Sequence, residues 1–100
     1  MEWLEIIELR STVLDNITLM AQLTDILKEI NTELKTDRIK LFSSNTIATD
    51  FSIQIAHFSG PPMEKSKLGR HISMTLKNFG LINHKIWVKI ENDGSKHQVE

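Results

Sequence analysis

The apolar residues of this chain switch between a two-residue and a three-to-four-residue period in a fixed order, and that order limits the fold more tightly than composition does. Trp3 to Arg10 is too short for an independent helix, is rich in β-formers and runs into the turn-forming pair Ser11-Thr12, which predicts a first strand. From the N-cap candidate Asp15, Ile17, Met20, Leu23, Leu27, Ile30 and Leu34 recur at helical steps, with Leu19 and Ile26 widening the stripe, so an amphipathic helix of about five turns follows and ends at Thr36-Asp37. Arg38 to Ile47 alternates weakly and Phe51, Ile53, Ile55 and His57 alternate strictly, which predicts two strands joined as a hairpin. Gly60-Pro61-Pro62 stops the second of them as a plain connector, because proline cannot donate to a sheet ladder. A helix from about Met63 to Phe79 comes next, with Leu68, Ile72, Leu76 and Phe79 inward and Gly80 as a left-handed cap. A last strand covers His84 to Glu91.

The order βαββαβ is the split-βαβ, ferredoxin-like motif, an α+β fold with one four-stranded antiparallel sheet in the order 4-1-3-2 and both helices on one face. It makes residues 1–92 a single domain and leaves 93–100, which have no periodicity, as a frayed tail. Pairing the last strand with the first so that residue numbers sum to about 94 sets Glu5 against Lys89 and Leu4 and Ile6 against Ile90 and Val88. In that register Leu4, Ile6, Ile53, Ile55, Ile86, Val88 and Ile90 face the helices. Trp3, Ile7, Leu9 and Trp87, with Phe42 and Phe58, line the other face, which is more apolar surface than a monomer leaves bare. A homodimer through that face is expected.

Charge and cysteine content narrow the function classes. Twelve basic against thirteen acidic residues give a net charge of -1, which removes the footprint of a dedicated nucleic-acid binder or polybasic membrane anchor. No apolar run approaches the roughly 20 residues of a membrane span, and the start lacks a signal-peptide pattern, so no membrane partner and a cytoplasmic location are expected. Zero cysteines exclude disulfides and thiolate chemistry.

The βαββαβ pattern over Trp3 to Glu91, the stretch Thr49-Asp50-Phe51-Ser52-Ile53 and the stretch Phe79 to Trp87 resemble the dimeric α+β barrel superfamily, which includes the antibiotic biosynthesis monooxygenase-like proteins, and within it an uncharacterised bacterial group. That resemblance implies two sheets packed face to face across a two-fold axis and a small cavity between sheet and helices in each subunit. It carries no activity residue by residue. The first strand lacks the early Asn shared by cofactor-independent and haem-degrading members, and His71 lacks the motif around a haem-ligating histidine.

The sum-94 register also brings Glu8, Arg10 and His84 under the helices at one sheet end. An Arg holding an anionic group, a His moving a proton and a Glu orienting it form a candidate ligand site for a small carboxylate or enolate-type molecule, the alternative being a structural ion pair. His57 shares their parity but falls at the other sheet end, and neither it, His71 nor His97 has metal-ligand spacing, so no metal and no cofactor are expected. Two functions stand open: a homodimer with a small-molecule cavity, whether enzyme or ligand binder, or a non-enzymatic interaction or regulatory module.

Overall fold

The computed structural model describes residues 2–13, 15–34, 38–58 and 65–90. The expected tail, the Gly60-Pro61-Pro62 connector, the end of the first helix at Thr36-Asp37 and the start of the second at Met63 fall outside those residues. Six elements follow one another: β1 (Trp3–Ser11), α1 (Asn16–Leu34), β2 (Ile39–Ser43), β3 (Asp50–His57), α2 (Lys67–Leu76) and β4 (Gly80–Val88). The four strands form one antiparallel sheet in the order β2-β3-β1-β4, the expected order read from the other edge.

Local chemistry accounts for the helix starts. Asp15 caps α1, its carboxylate accepting from the Thr18 backbone N–H at 3.1 Å and from the Thr18 hydroxyl at 2.6 Å, so two donors at the helix start are satisfied. Ser66 caps α2, its hydroxyl accepting from the Gly69 N–H at 2.9 Å. Helix α1 buries Leu19, Leu23 and Leu27 and leaves Ile17 81% exposed. The buried stripe therefore starts two residues later than the sequence pattern suggests. Helix α2 ends at Leu76 with Lys77 in right-handed helical geometry, so Gly80 is no left-handed cap. It opens β4, where a Cβ would lie 2.1 Å from the Arg10 carbonyl oxygen of β1, and only a glycine lets the two backbones come that close.

The largest correction concerns which side of β1 faces the helices. Strand β4 begins at Gly80, four residues earlier than expected, and pairs with β1 so that residue numbers sum to 91: Glu5 lies opposite Ile86, Ile7 opposite His84 and Leu4 opposite Trp87. The shift from 94 is odd, and an odd shift exchanges the faces of one strand relative to its neighbour. Trp3, Glu5, Ile7 and Leu9 consequently lie under the helices with Phe51, Ile53 and Ile55 of β3, while Leu4, Ile6, Glu8 and Arg10 point to the uncovered face with Trp87. One core joins Ile7, Ile53 and Ile55 to Leu19 and Leu23 of α1 and Ile72 and Leu76 of α2, all at most 1% exposed.

The expected interface set Trp3, Ile7, Leu9 and Trp87 is thus divided, the first three being core and Trp87 alone lying on the open face. The physical reason is that β1 is apolar on both sides, so alternation cannot choose, and the exposed Glu5–Lys89 ion pair used to choose is worth little. Ile7→Ala should lower stability by about 2–5 kcal/mol by leaving a cavity, whereas Leu81→Ala on the exposed side should move it by no more than about 0.5 kcal/mol. Thermal or urea melts of the two variants check the assignment.

Candidate functional site

The face-exchange puts a carboxylate where the core should be dry. Glu5 is 0% exposed, yet each of its oxygens is taken by an imidazole: His57 Nε2, from the end of β3, lies 2.7 Å from Oε1, and His84 Nε2, from β4, lies 2.7 Å from Oε2. Helix α2 supplies the remaining donors. The Ser66 backbone N–H donates to Oε2 at 3.1 Å and the Ser66 hydroxyl donates to Oε1. A buried charge costs several kcal/mol unless its lone pairs are met, and here four donors meet them.

Two further contacts complete the cluster. The Ser73 hydroxyl, on α2, lies 3.0 Å from His84 Nδ1, and the Trp3 indole stacks on the His57 ring with centroids 4.0 Å apart and planes 16° apart. Gly69 lets the helix approach. A Cβ there would lie 2.1 Å from Glu5 Oε2 and 2.9 Å from His84 Cε1. A glycine inside the second helix implies either a helix start near Ser66 or a close approach at that point, and the structure has both: Ser66 caps α2, and Gly69 is the position at which the helix passes over the carboxylate.

Burial, the largest single influence, pushes the Glu5 carboxyl up. Hydrogen bonds from the Ser66 hydroxyl, His84, His57 and the Ser66 backbone together outweigh it and hold the carboxyl below its ordinary value of 4.5. Glu5 is therefore ionised at neutral pH, a hydrogen-bond acceptor only. Each imidazole takes a different oxygen of one carboxylate, and among the described residues no group of three or more His, Cys, Asp or Glu side chains is disposed to hold a metal ion.

The three expected ligand residues Glu8, Arg10 and His84 are not brought together. His84 points under α2, whereas Glu8 and Arg10 lie on the open face of the sheet. There Arg10 pairs with Asp50 through Nε and Nη2, at 3.2 and 3.3 Å, and Glu8 pairs with Lys85 at 3.1 Å and accepts from Asn83. Glu8, Arg10, Asp50 and Asn83 line a groove of about 490 Å³ that crosses all four strands and is flanked by Phe42 and Leu81. His71 is exposed on α2, away from the cluster's hydrogen bonds.

Sequence reasoning passed over Glu5, Ser66 and Ser73 and separated His57 from His84. Two signals were available. His57 and His84 share a face with the isoleucines of their strands, and Gly69 interrupts an otherwise amphipathic helix. Taking Trp3, Ile7 and Leu9 as the core side would have left Glu5 as a buried charge in need of partners.

The chain matches no protein family, curated protein or solved structure with which it was compared. Among the described residues no helix is long and apolar enough to cross a membrane.

Two outcomes follow for the cluster. Since the folded-state pKa of Glu5 lies below 4.5, its contribution to stability is present above that value and is lost as the pH falls through the folded pKa. Glu5→Gln should cost about 1–3 kcal/mol at neutral pH, because it leaves buried donors unmet, and the variant should lose less stability than the parent on acidification below 4.5. Urea melts from pH 7 to pH 3 measure both. Gly69→Ala, which would gain about 1 kcal/mol at an ordinary helix position, should instead lose about 1–3 kcal/mol, because the hydrogen-bonded Glu5 side chain has no room to yield.

Proposed function

We propose that the protein acts as a homodimeric interaction module whose working surface is the open face of its sheet. The observation that carries this reading is the apolar content of that face: Leu4 and Ile6 of β1 and Ala56 of β3 lie half-buried beside Trp87, which is 58% exposed, and neither helix packs there. The face that the helices do cover is filled by core side chains and by the Glu5 cluster. The open face is thus the one on which a partner can act.

A second copy of the chain suits this face for three reasons. Four strands about 4.8 Å apart and several residues long present a flat area on the order of 500 Å², more with side-chain relief, which approaches the roughly 800 Å² per partner of a stable interface. Most of its charges are paired within one chain, Arg10 with Asp50 and Glu8 with Lys85, and the exposed Lys40 lies out on the edge strand β2, so two like faces meet with little net repulsion. A two-fold axis then sets Leu4, Ile6 and Trp87 of each copy against the same kind of surface, and a self-complementary patch is the commonest way such contacts close. The resemblance to dimeric α+β barrel proteins leads to the same arrangement.

This reading retains the expected homodimer but moves its interface from Trp3, Ile7 and Leu9 to Leu4 and Ile6, with Trp87 common to both. Light scattering at micromolar concentration should give the mass of two chains, and Trp87→Lys or Ile6→Lys should give that of one with the far-ultraviolet circular dichroism of the parent. A single-chain mass for the parent refutes the proposal. The same mass for the parent and both variants refutes the placement of the interface.

A further inference from the structure

Hydrogen bonding fixes the protons in the Glu5 cluster, and they are not distributed evenly between its two histidines. An ionised carboxylate only accepts, so both groups at 2.7 Å must donate, and His57 and His84 each carry a proton on Nε2. A neutral imidazole protonated there keeps a lone pair on Nδ1. At His84 that lone pair accepts from the Ser73 hydroxyl at 3.0 Å, which leaves the ring with both nitrogens engaged. At His57 no described residue hydrogen-bonds to Nδ1.

Exposure points the same way. Glu5 is fully buried, the His84 side chain is 6% exposed and the His57 side chain is 13% exposed, so the hydrogen-bonded chain from Ser73 through His84 and Glu5 reaches solvent at His57. The stacked Trp3 ring and the bond to Glu5 together fix the plane and tilt of that imidazole. An oriented ring with one nitrogen on a buried carboxylate and the other carrying a lone pair that no described residue engages is the arrangement by which a histidine acts as a base.

We propose that His57 is a general base whose Nδ1 removes a proton from a small, weakly acidic molecule, with Glu5 as its positioning partner. In the forward step the substrate X–H bond breaks, its electron pair stays on the substrate, and the proton forms an N–H bond at Nδ1. The imidazolium so formed carries its second proton on Nε2, 2.7 Å from the ionised Glu5, which stabilises the developing charge. In the reverse step Nδ1 returns the proton to the same or to another atom of the substrate. Proton transfer within one molecule, as between the tautomers of a carbonyl compound, therefore balances without any oxidant, reductant or second reactant. His84 and Ser73 hold the far side of the carboxylate. The proposal is independent of the dimer, whose interface is the opposite face of the sheet.

Two measurements on the full chain test it. Long-range proton–nitrogen correlation spectra of nitrogen-15-labelled protein at neutral pH should show His57 with a protonated Nε2 and a bare Nδ1, and a protonated Nδ1 on neutral His57 overturns the proposal. A nitrobenzisoxazole serves as the kinetic probe: a base takes its ring C–H proton while the N–O bond breaks, giving a nitrile and a coloured phenolate. The rate should exceed that of equimolar free imidazole by on the order of a hundredfold and saturate with probe. His57→Gln should abolish the excess, Glu5→Gln should lower kcat with little change in KM, and His71→Ala on the exposed side of α2 should leave both unchanged. A parent rate no greater than that of imidazole, or an undiminished rate in His57→Gln, overturns the proposal. If His57→Gln does not fold, the parent's spectra and rate still decide.

Discussion

A carboxylate removed from water must be given donors, and in this protein that requirement organises half of the domain. Glu5 sits near the start of a central strand, between Trp3 and Ile7 on the covered face, where no solvent reaches it. Its four donors come from three other parts of the chain: His57 at the end of β3, His84 in β4 and Ser66 at the start of α2. Each of these groups must therefore lie within hydrogen-bonding distance of one point. The N-cap of α2 is tied to the sheet by the same carboxylate, and Gly69 follows from that closeness, since any side chain there would occupy the space of the Glu5 oxygens.

The cluster also separates the two ends of the covered layer by chemistry. Around Ile53, Ile7, Leu23 and Leu76 the layer is close-packed and wholly apolar, and burial of such side chains at about 1.5–3 kcal/mol each holds the fold together. Toward Trp3, His57 and Ser66 it becomes polar and titratable, at a cost in desolvation that the hydrogen bonds offset. The apolar packing thus lies at one end of the layer and the hydrogen-bonded carboxylate–histidine cluster at the other. The open side of the sheet has a third character, with internally paired charges around a groove beside a half-buried apolar patch, which fits the proposed contact between copies.

Much of the fold was legible because it depends on periodicity. The βαββαβ order, the strand order, the Asp15 cap and the inward placement of Ile53, Ile55 and Ile86 all follow from patterns within single segments. The candidate site was much less legible. Glu8 and Arg10 were expected beside His84 and lie on the other side of the sheet, while Glu5 and His57, its true neighbours, were read as a surface charge and a strand end. Of the three residues expected under the helices, only His84 lies there.

Residue order by itself determined how many elements form, their kind and the antiparallel sheet they make, because hydrophobic period and capping act within a few residues of one another. It also determined that one strand carries apolar side chains on both faces. Only the tertiary structure decided which of those faces is covered. That choice rests on the alignment of β4 against β1, which moves every side chain of the strand to the other side when it slips by an odd number of residues, and on whether a charge at position 5 finds its donors across three distant segments. Both are long-range energies, set by contacts between residues up to 79 positions apart, and no local pattern records them.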